Sequence, residues 1–109
     1  MLIHLNQIEE TPAEHMLGGE GTIYLRRFMD DAGKIMLVRV QPGCSIGMHT
    51  HETSSEVCYI LSGRAKVLYD GEVQPLEPGV VHYCPKGHSH SVFSDGDEEM
   101  TMYCVVSNC

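Results

Sequence analysis

The sequence lacks the features that mark membrane, secreted and nucleic-acid-binding proteins. It has no tryptophan, and its seven lysines and arginines face fifteen aspartates and glutamates, for a formal net charge of −8. No apolar run approaches the roughly 18 residues of a membrane span, and the N-terminus lacks the basic start and apolar stretch of a signal peptide. The scattered cations disfavour binding to phosphate backbones. We therefore expect a cytoplasmic protein with neither nucleic-acid nor membrane partners.

Disulfide and zinc-finger patterns are also missing. The five cysteines are an odd number and include no C-x-x-C pair. Free thiols are the default in an untargeted chain, and a free cysteine usually packs as a small buried hydrophobe. The composition, 42% hydrophobic and 20% charged over 109 residues, is typical of one globular domain.

What the chain does contain is a regular succession of short β-prone runs between turn signals. Asp-Gly and Pro-Gly pairs separate these runs, and glycine takes positive φ in such turns without steric cost. Residues 7–17 are interrupted by Pro12 and predict at most a short turn of helix. Short strands with turns every 8–12 residues or so predict an all-β sandwich or small barrel. The candidate strands are residues 23–28, 35–40, 45–50, 56–61, 64–69, 80–84, 88–93 and 101–107.

Four of the seven histidines fall in two short segments that also carry glycine, proline and glutamate. Residues two apart in a strand face the same side, so His49 and His51 project together. Glu56 follows after a gap long enough to turn onto a neighbouring strand, and a histidine of the second segment can join them. Three neutral imidazoles and one carboxylate suit a first-row divalent metal. The ordinary alternative is a set of surface or hydrogen-bonded core histidines.

The spacing decides between these two interpretations. It is G-x5-H-x-H-x4-E-x6-G followed by G-x5-P-x-G-x2-H, which resembles both halves of the cupin signature. Two positions depart from the family pattern: Ser94 stands where an asparagine is usual, and Val80 where many relatives have aspartate. Neither is a ligand position. The matching residues are Gly43, His49, His51, Glu56 and Gly63, then Gly79, Pro85, Gly87 and His90.

The resemblance implies a double-stranded β-helix, or jelly-roll barrel, with a metal inside near its wider mouth. It assigns His49, His51, Glu56 and His90 as ligands of one divalent transition metal per chain, for which Mn, Fe, Ni and Zn all remain candidates. Such open sites leave room for water, dioxygen or a chelating substrate.

Cupins are commonly homodimers, and the predicted barrel has outward apolar side chains that a second copy would cover. Val57, Tyr59 and Leu61 have the opposite strand parity to Glu56 and therefore face outward. We expect a homodimer. Residues 1–22 would form an N-terminal arm that supplies an edge strand or dimer contacts, and residues 23–109 would form the single barrel domain.

Alternation along the strands extends the predicted pocket beyond the metal ligands. Cys58 shares the inward parity of Glu56 and is a candidate for the pocket wall, packed as a small core residue. His82 and Tyr83 must point opposite ways, so at most one of them belongs to the cavity. His82 and His88 are candidate catalytic acid–base groups because imidazole titrates near neutral pH.

Two functions remain open for such a site. The first is an enzyme acting on a small organic acid or carbonyl compound, as an oxidoreductase of the oxygenase type, a decarboxylase or an isomerase/lyase. Its metal would polarise the substrate, and His88 or His82 would move protons. Oxalate-type decarboxylation ranks low among these because the sequence places neither an inward arginine nor a glutamate on a mobile loop. The alternative is a non-catalytic binding or sensing module. Titratable groups around the site would favour catalysis, and an apolar cavity would favour binding.

Overall fold

The computed structural model describes all 109 residues, and nearly all of its regular structure is β-strand. Eight of the ten strands lie within two residues of those predicted from the sequence. Two 3-10 turns, Leu5–Gln7 and Met16–Gly18, precede the second strand. The structure contains no helix with the length and apolarity required to span a bilayer. The strands are β1 Thr11–Glu14, β2 Thr22–Asp30, β3 Gly33–Val40, β4 Ser45–Thr50, β5 Ser54–Ser62, β6 Ala65–Tyr69, β7 Glu72–Leu76, β8 Val81–Cys84, β9 Ser89–Ser94 and β10 Met100–Asn108.

The two strands that the sequence analysis missed both contain a proline and both lie at a sheet edge. β1 carries Pro12 and pairs only with β2, and β7 carries Pro75 and pairs only with β6. Proline lacks an N–H for the ladder and is confined to edge strands or bulges. The same residue that argues against a strand in the sequence is therefore tolerated in these two places.

The strands form two antiparallel sheets that face each other. One has six strands in the order β1-β2-β3-β10-β5-β8, and the other has four in the order β4-β9-β6-β7. From β3 onward the chain passes repeatedly from one sheet to the other, which is the winding of a jelly roll. The predicted all-β jelly-roll barrel is confirmed.

Side chains alternate between the barrel interior and its outer surface, as the strand parity predicts. Along β5, Cys58 and Ile60 are 1% exposed, whereas Tyr59 is 42% exposed. Met48, next to His49 in the sequence but of opposite parity, is 50% exposed. All five cysteines are free.

Polar contacts tie the N-terminal segment to the six-stranded sheet. The Arg26 guanidinium donates hydrogen bonds to the carbonyl oxygens of Asn6 and Ile8. Arg39 donates two hydrogen bonds of 2.7 Å to the Glu10 carboxylate. The segment thus supplies an edge strand, while the boundary at residue 22 and any dimer contact of the arm stay predictions.

Candidate metal centre

Four side chains from three neighbouring parts of the barrel converge on one point. His49 on β4 lies opposite His90 on β9 in the strand register. The Nε2 atom of His90 is 3.0 Å from Nε2 of His49 and 3.0 Å from Nε2 of His51. The Oε1 atom of Glu56 is 3.0 Å from Nε2 of His90 and 3.2 Å from Nε2 of His51. The structure thus brings together the four residues that the motif spacing singled out.

The separations between these donor atoms fit a shared cation. All four ligand atoms lie within 4.8 Å of one another. Donors at right angles around an ion, each at about 2.1 Å, would be about 3.0 Å apart, whereas tetrahedral corners would be about 3.4 Å apart. The four separations of 3.0–3.2 Å are nearer the first value. The donor set therefore fits a transition metal that keeps positions free for another ligand.

Each histidine of the cluster is held from behind through its other ring nitrogen. Nδ1 of His49 donates to the Gly47 carbonyl oxygen at 2.7 Å. Nδ1 of His51 faces the Ser54 hydroxyl at 2.9 Å, and Nδ1 of His90 faces Nε2 of His82 at 2.9 Å. A proton on Nδ1 leaves the lone pair of Nε2 directed into the cluster. These contacts favour the tautomer that binds metal.

The charge states of the cluster also suit a divalent cation. Burial raises the pKa of Glu56, but the close contacts with the rings of His51 and His90 outweigh it and bring the pKa down to about 2. Burial lowers the pKa of His49. Burial together with the nearby His90 lowers the pKa of His82 to about 4. At neutral pH the Glu56 carboxylate is ionised and the His49 ring is neutral, as metal binding requires of its ligands. The His82 ring is neutral as well.

A small cavity lies against three of the four donors, His49, Glu56 and His90. Its volume is about 30 Å³, enough for roughly one or two water molecules. The rest of its wall is apolar or sulfur-containing: Met16, Leu25, Met36, Val38, Ile46, Cys58, Val92, Met102 and Cys104. The space next to the candidate metal is therefore small and largely apolar.

Neither predicted acid–base histidine lines this cavity. His82 is buried behind His90, on the side away from the other donors. His88 lies outside the cavity, where its Nδ1 is 3.1 Å from the Asp70 carboxylate and 3.2 Å from the Tyr69 hydroxyl. The catalytic roles assigned to His82 and His88 stay predictions. The contact with His90 places His82 where it can hold the orientation of the His90 ring.

Cys104 and Met16 are among the cavity-wall residues that the sequence analysis did not single out. Cys104 on β10 lies directly opposite Cys58 on β5, and the alternation along β10 would have identified it as inward-facing. Met16 comes from the N-terminal segment, whose irregular sequence carries no periodic signal. Only the tertiary contact of that segment with the barrel brings Met16 to the cavity.

The architecture defines a small jelly-roll barrel with a histidine–carboxylate cluster inside. Residues 36–106 match the family described as Cupin domain, and the chain belongs to that family. It is 26% identical to the oxalate-binding protein of Thermotoga maritima over 112 residues, covering 97% of this chain and 93% of that protein. It is 35% identical over 76 residues to the polyketide synthase CurC of Streptomyces cyaneus, covering 70% of this chain and 49% of that protein.

Solved structures show the same barrel. A predicted oxalate decarboxylase from Thermotoga maritima superposes with a TM-score of 0.93 at 24% identity, over 100% of both chains. A Cupin 2 conserved barrel domain protein from Salinispora arenicola superposes with a TM-score of 0.72 at 30% identity, over 80% of this chain and 76% of that one. The first similarity establishes the fold of the whole chain, including its N-terminal segment.

Proposed function

We propose that the chain holds one divalent transition metal through His49, His51, Glu56 and His90 and captures a small carboxylate at that metal. The observation that carries the proposal is the set of four donor atoms whose neighbouring separations are 3.0–3.2 Å. Mn, Fe, Ni and Zn all suit imidazole and carboxylate donors. The cysteines of the cavity wall contribute no donor to this set.

The charge of the site supports a small anion as the ligand. A divalent ion with three neutral imidazoles and the Glu56 carboxylate carries a net charge of about +1, within a chain whose formal charge is −8. The apolar wall strengthens the attraction between this centre and an anion, because Coulomb interactions grow as the local dielectric falls. The cavity favours a compact ligand. Oxalate is the smallest dicarboxylate that can chelate a metal, and the similarity to a protein named for oxalate binding supports the same class.

The wall of the cavity favours capture over turnover. Beyond the metal donors, its only titratable groups are Cys58 and Cys104. The neighbouring Cys58 thiol and deep burial raise the pKa of Cys104 well above its usual value, so this thiol stays protonated and is a poor base. A metal bound at the cluster would act as a Lewis acid toward the carboxylate. The chain's residues would hold the anion and exclude water.

Turnover of a small organic acid or carbonyl compound, by oxygenase, decarboxylase or isomerase/lyase chemistry, is the second candidate. This second candidate is favoured because the cavity lies against three of the four donors. A substrate in the cavity would therefore lie beside the bound ion. Product analysis after incubation of metal-loaded protein with oxalate distinguishes the two candidates. Capture predicts unchanged oxalate, and turnover predicts carbon dioxide with formate or peroxide.

Calorimetric titration of metal-loaded protein with oxalate tests the proposal. We expect about one oxalate per chain, with acetate binding more weakly because it offers one carboxylate instead of a chelating pair. The metal-free protein and the double variant His51→Ala/Glu56→Ala serve as controls and should bind neither anion. Equal binding of oxalate with and without metal would contradict the proposal.

The outer face of β5 and β8 supports a homodimer. Tyr59 is 42% exposed and Leu61 46%, and their neighbours Val81 and Tyr83 on the edge strand β8 are 55% and 54% exposed. Contiguous exposed apolar side chains of this kind mark an interaction surface. We propose that a second copy of the chain covers this face.

A further inference from the structure

A second cavity lies outside the barrel, between the N-terminal segment and β2. Its volume is about 390 Å³, and it shares Met16 and Leu25 with the cavity at the metal donors. We call this outer cavity the vestibule; Ile8, Pro12 and Arg27 are among its other lining residues. The two shared side chains are therefore the partition between the vestibule and the metal cavity.

The two side chains of the partition differ in their freedom to move. Leu25 lies in the middle of β2, is 6% exposed and belongs to the core cluster. Met16 is only partly buried and lies on the 3-10 turn Met16–Gly18, outside both sheets. Methionine is unbranched, with three rotatable bonds, and adapts to irregular spaces. Met16 is the side chain of the partition that can move without disturbing a strand.

The backbone that carries Met16 is strained on both sides. His15 and Leu17 have φ values of 49° and 53°, in the left-handed region that non-glycine residues rarely adopt. The turn is closed by hydrogen bonds from the Gly18 and Gly19 amides to the carbonyl oxygens of His15 and Met16. Such strain persists only where the surrounding structure holds the backbone, so the turn fixes the point from which the Met16 side chain moves.

We propose that the vestibule is the entrance to the metal cavity and that Met16 is the gate that admits small ligands and excludes larger ones. The identity of the ligand, a small carboxylate, rests on the proposed function; the route does not. The vestibule carries one charge of each sign, Arg27 and Glu9. Selection at this entrance is therefore by size, and selection by charge occurs at the metal.

The gate is also connected to a metal donor. The turn packs so closely on β4 that a Cβ atom at Gly47 would lie 2.0 Å from the Leu17 carbonyl oxygen. The carbonyl oxygen of Gly47 in turn accepts the hydrogen bond from Nδ1 of His49. Displacement of the turn therefore reaches the contact that orients His49.

The thiols of the chain test the gate without metal or carboxylate. Cys58 and Cys104 line the metal cavity, whereas Cys84 is fully buried and does not. The metal-free protein is treated with methyl methanethiosulfonate, a small neutral thiol reagent, and each cysteine is followed by peptide mass spectrometry. With Met16→Ala, we expect labelling of Cys58 and Cys104 to rise about tenfold, the effect of a barrier lower by about 1.4 kcal/mol.

Two controls separate gating from loosening of the whole barrel. Met29→Ala removes a methionine that is 58% exposed on β2 and should change no labelling rate. Cys84 should be labelled as slowly in Met16→Ala as in the unmodified chain. In Met16→Phe, the labelling of Cys58 and Cys104 should be slower than in the unmodified chain. Unchanged labelling of Cys58 and Cys104 in Met16→Ala, or an equal rise at Cys84, would overturn the proposed gate.

A second measurement connects the gate to the ligand. Stopped-flow mixing of metal-loaded protein with oxalate should show faster association and faster dissociation in Met16→Ala, with little change in affinity. Failure of the unmodified chain to bind oxalate would overturn the proposed function, while the labelling result would still decide the route. Oxalate binding with rates independent of residue 16 would overturn the gate alone.

Discussion

Replacement of His82 tests whether the orientation of His90 depends on the hydrogen bond behind the candidate metal centre. Nε2 of His82 is 2.9 Å from Nδ1 of His90. Burial and the nearby His90 lower the pKa of His82 to about 4, so its ring is neutral at pH 7 and can accept this bond. Because Nδ1 of His90 then carries the proton, Nε2 offers its lone pair to the metal.

His82→Leu removes the acceptor and keeps an apolar side chain in the buried position. Loss of a partner that orients a metal-binding histidine typically weakens metal affinity about 10–100-fold, or about 1.4–2.8 kcal/mol. In the metal-free protein the same change leaves a buried N–H without a partner, which costs about 1–3 kcal/mol of stability. His82→Gln is the matched control, because its amide oxygen can accept the same bond.

Metal affinity is measured by competition with a chelating dye at fixed pH, and thermal unfolding checks that each variant folds. Nitrogen NMR of the histidine rings reports the tautomer of His90 directly. We expect the wild type and His82→Gln to bind metal more tightly than His82→Leu. The Nδ1–H tautomer of His90 should be less populated only in His82→Leu. Equal metal affinities of His82→Leu and the wild type would refute a positioning role for His82. An equal loss of metal affinity in His82→Leu and His82→Gln would also refute it.

Three other outcomes are expected from the same geometry. Gly47→Ala should lower the free energy of unfolding by about 1–3 kcal/mol, as overpacking does, because its new methyl group would lie 2.0 Å from the Leu17 carbonyl oxygen. Denaturant unfolding measures this loss, and a variant as stable as the wild type would contradict the expectation. The metal-free protein should lose stability as pH falls from 6.5 towards about 4, because the unfolded chain protonates His82 before the folded one does. Urea unfolding across that range measures how steeply the free energy of unfolding depends on pH, and His82→Gln should make this dependence weaker. Stability should fall further between pH 4.5 and about 2, where Glu56 protonates in the unfolded chain before it does in the folded one. Tyr59→Lys should shift the protein from dimer to monomer in light scattering, and an unchanged dimer would place the interface elsewhere.

Local patterns in the sequence account for the parts of the fold and site that depend on neighbouring residues. Alternation along β5 identified Glu56 and Cys58 as inward-facing, and the motif spacing singled out the four side chains that cluster in the barrel. The position of His82 behind His90 depends on the pairing of β8 with β5, in which His82 lies opposite Cys58. That pairing joins residues far apart in the chain and leaves no periodic signal.

The gate illustrates the same limit. Met16 lies in a segment without strand or helix periodicity, and its place in the cavity wall arises from the close packing of that segment on Gly47. β1 and β7 were not predicted because each contains a proline, which an edge strand tolerates. The positions of Met16 and His82, in contrast, depend on contacts between distant segments, which no short window of sequence contains.

Elemental analysis of the protein purified without chelators or a metal-affinity tag tests the central claim most directly. We predict about one divalent transition metal ion per chain, and its loss in His51→Ala/Glu56→Ala while circular dichroism still reports a folded β protein. A wild-type chain that contains no such metal and takes up none on reconstitution would contradict the assignment. The same metal content in the double variant would contradict it equally.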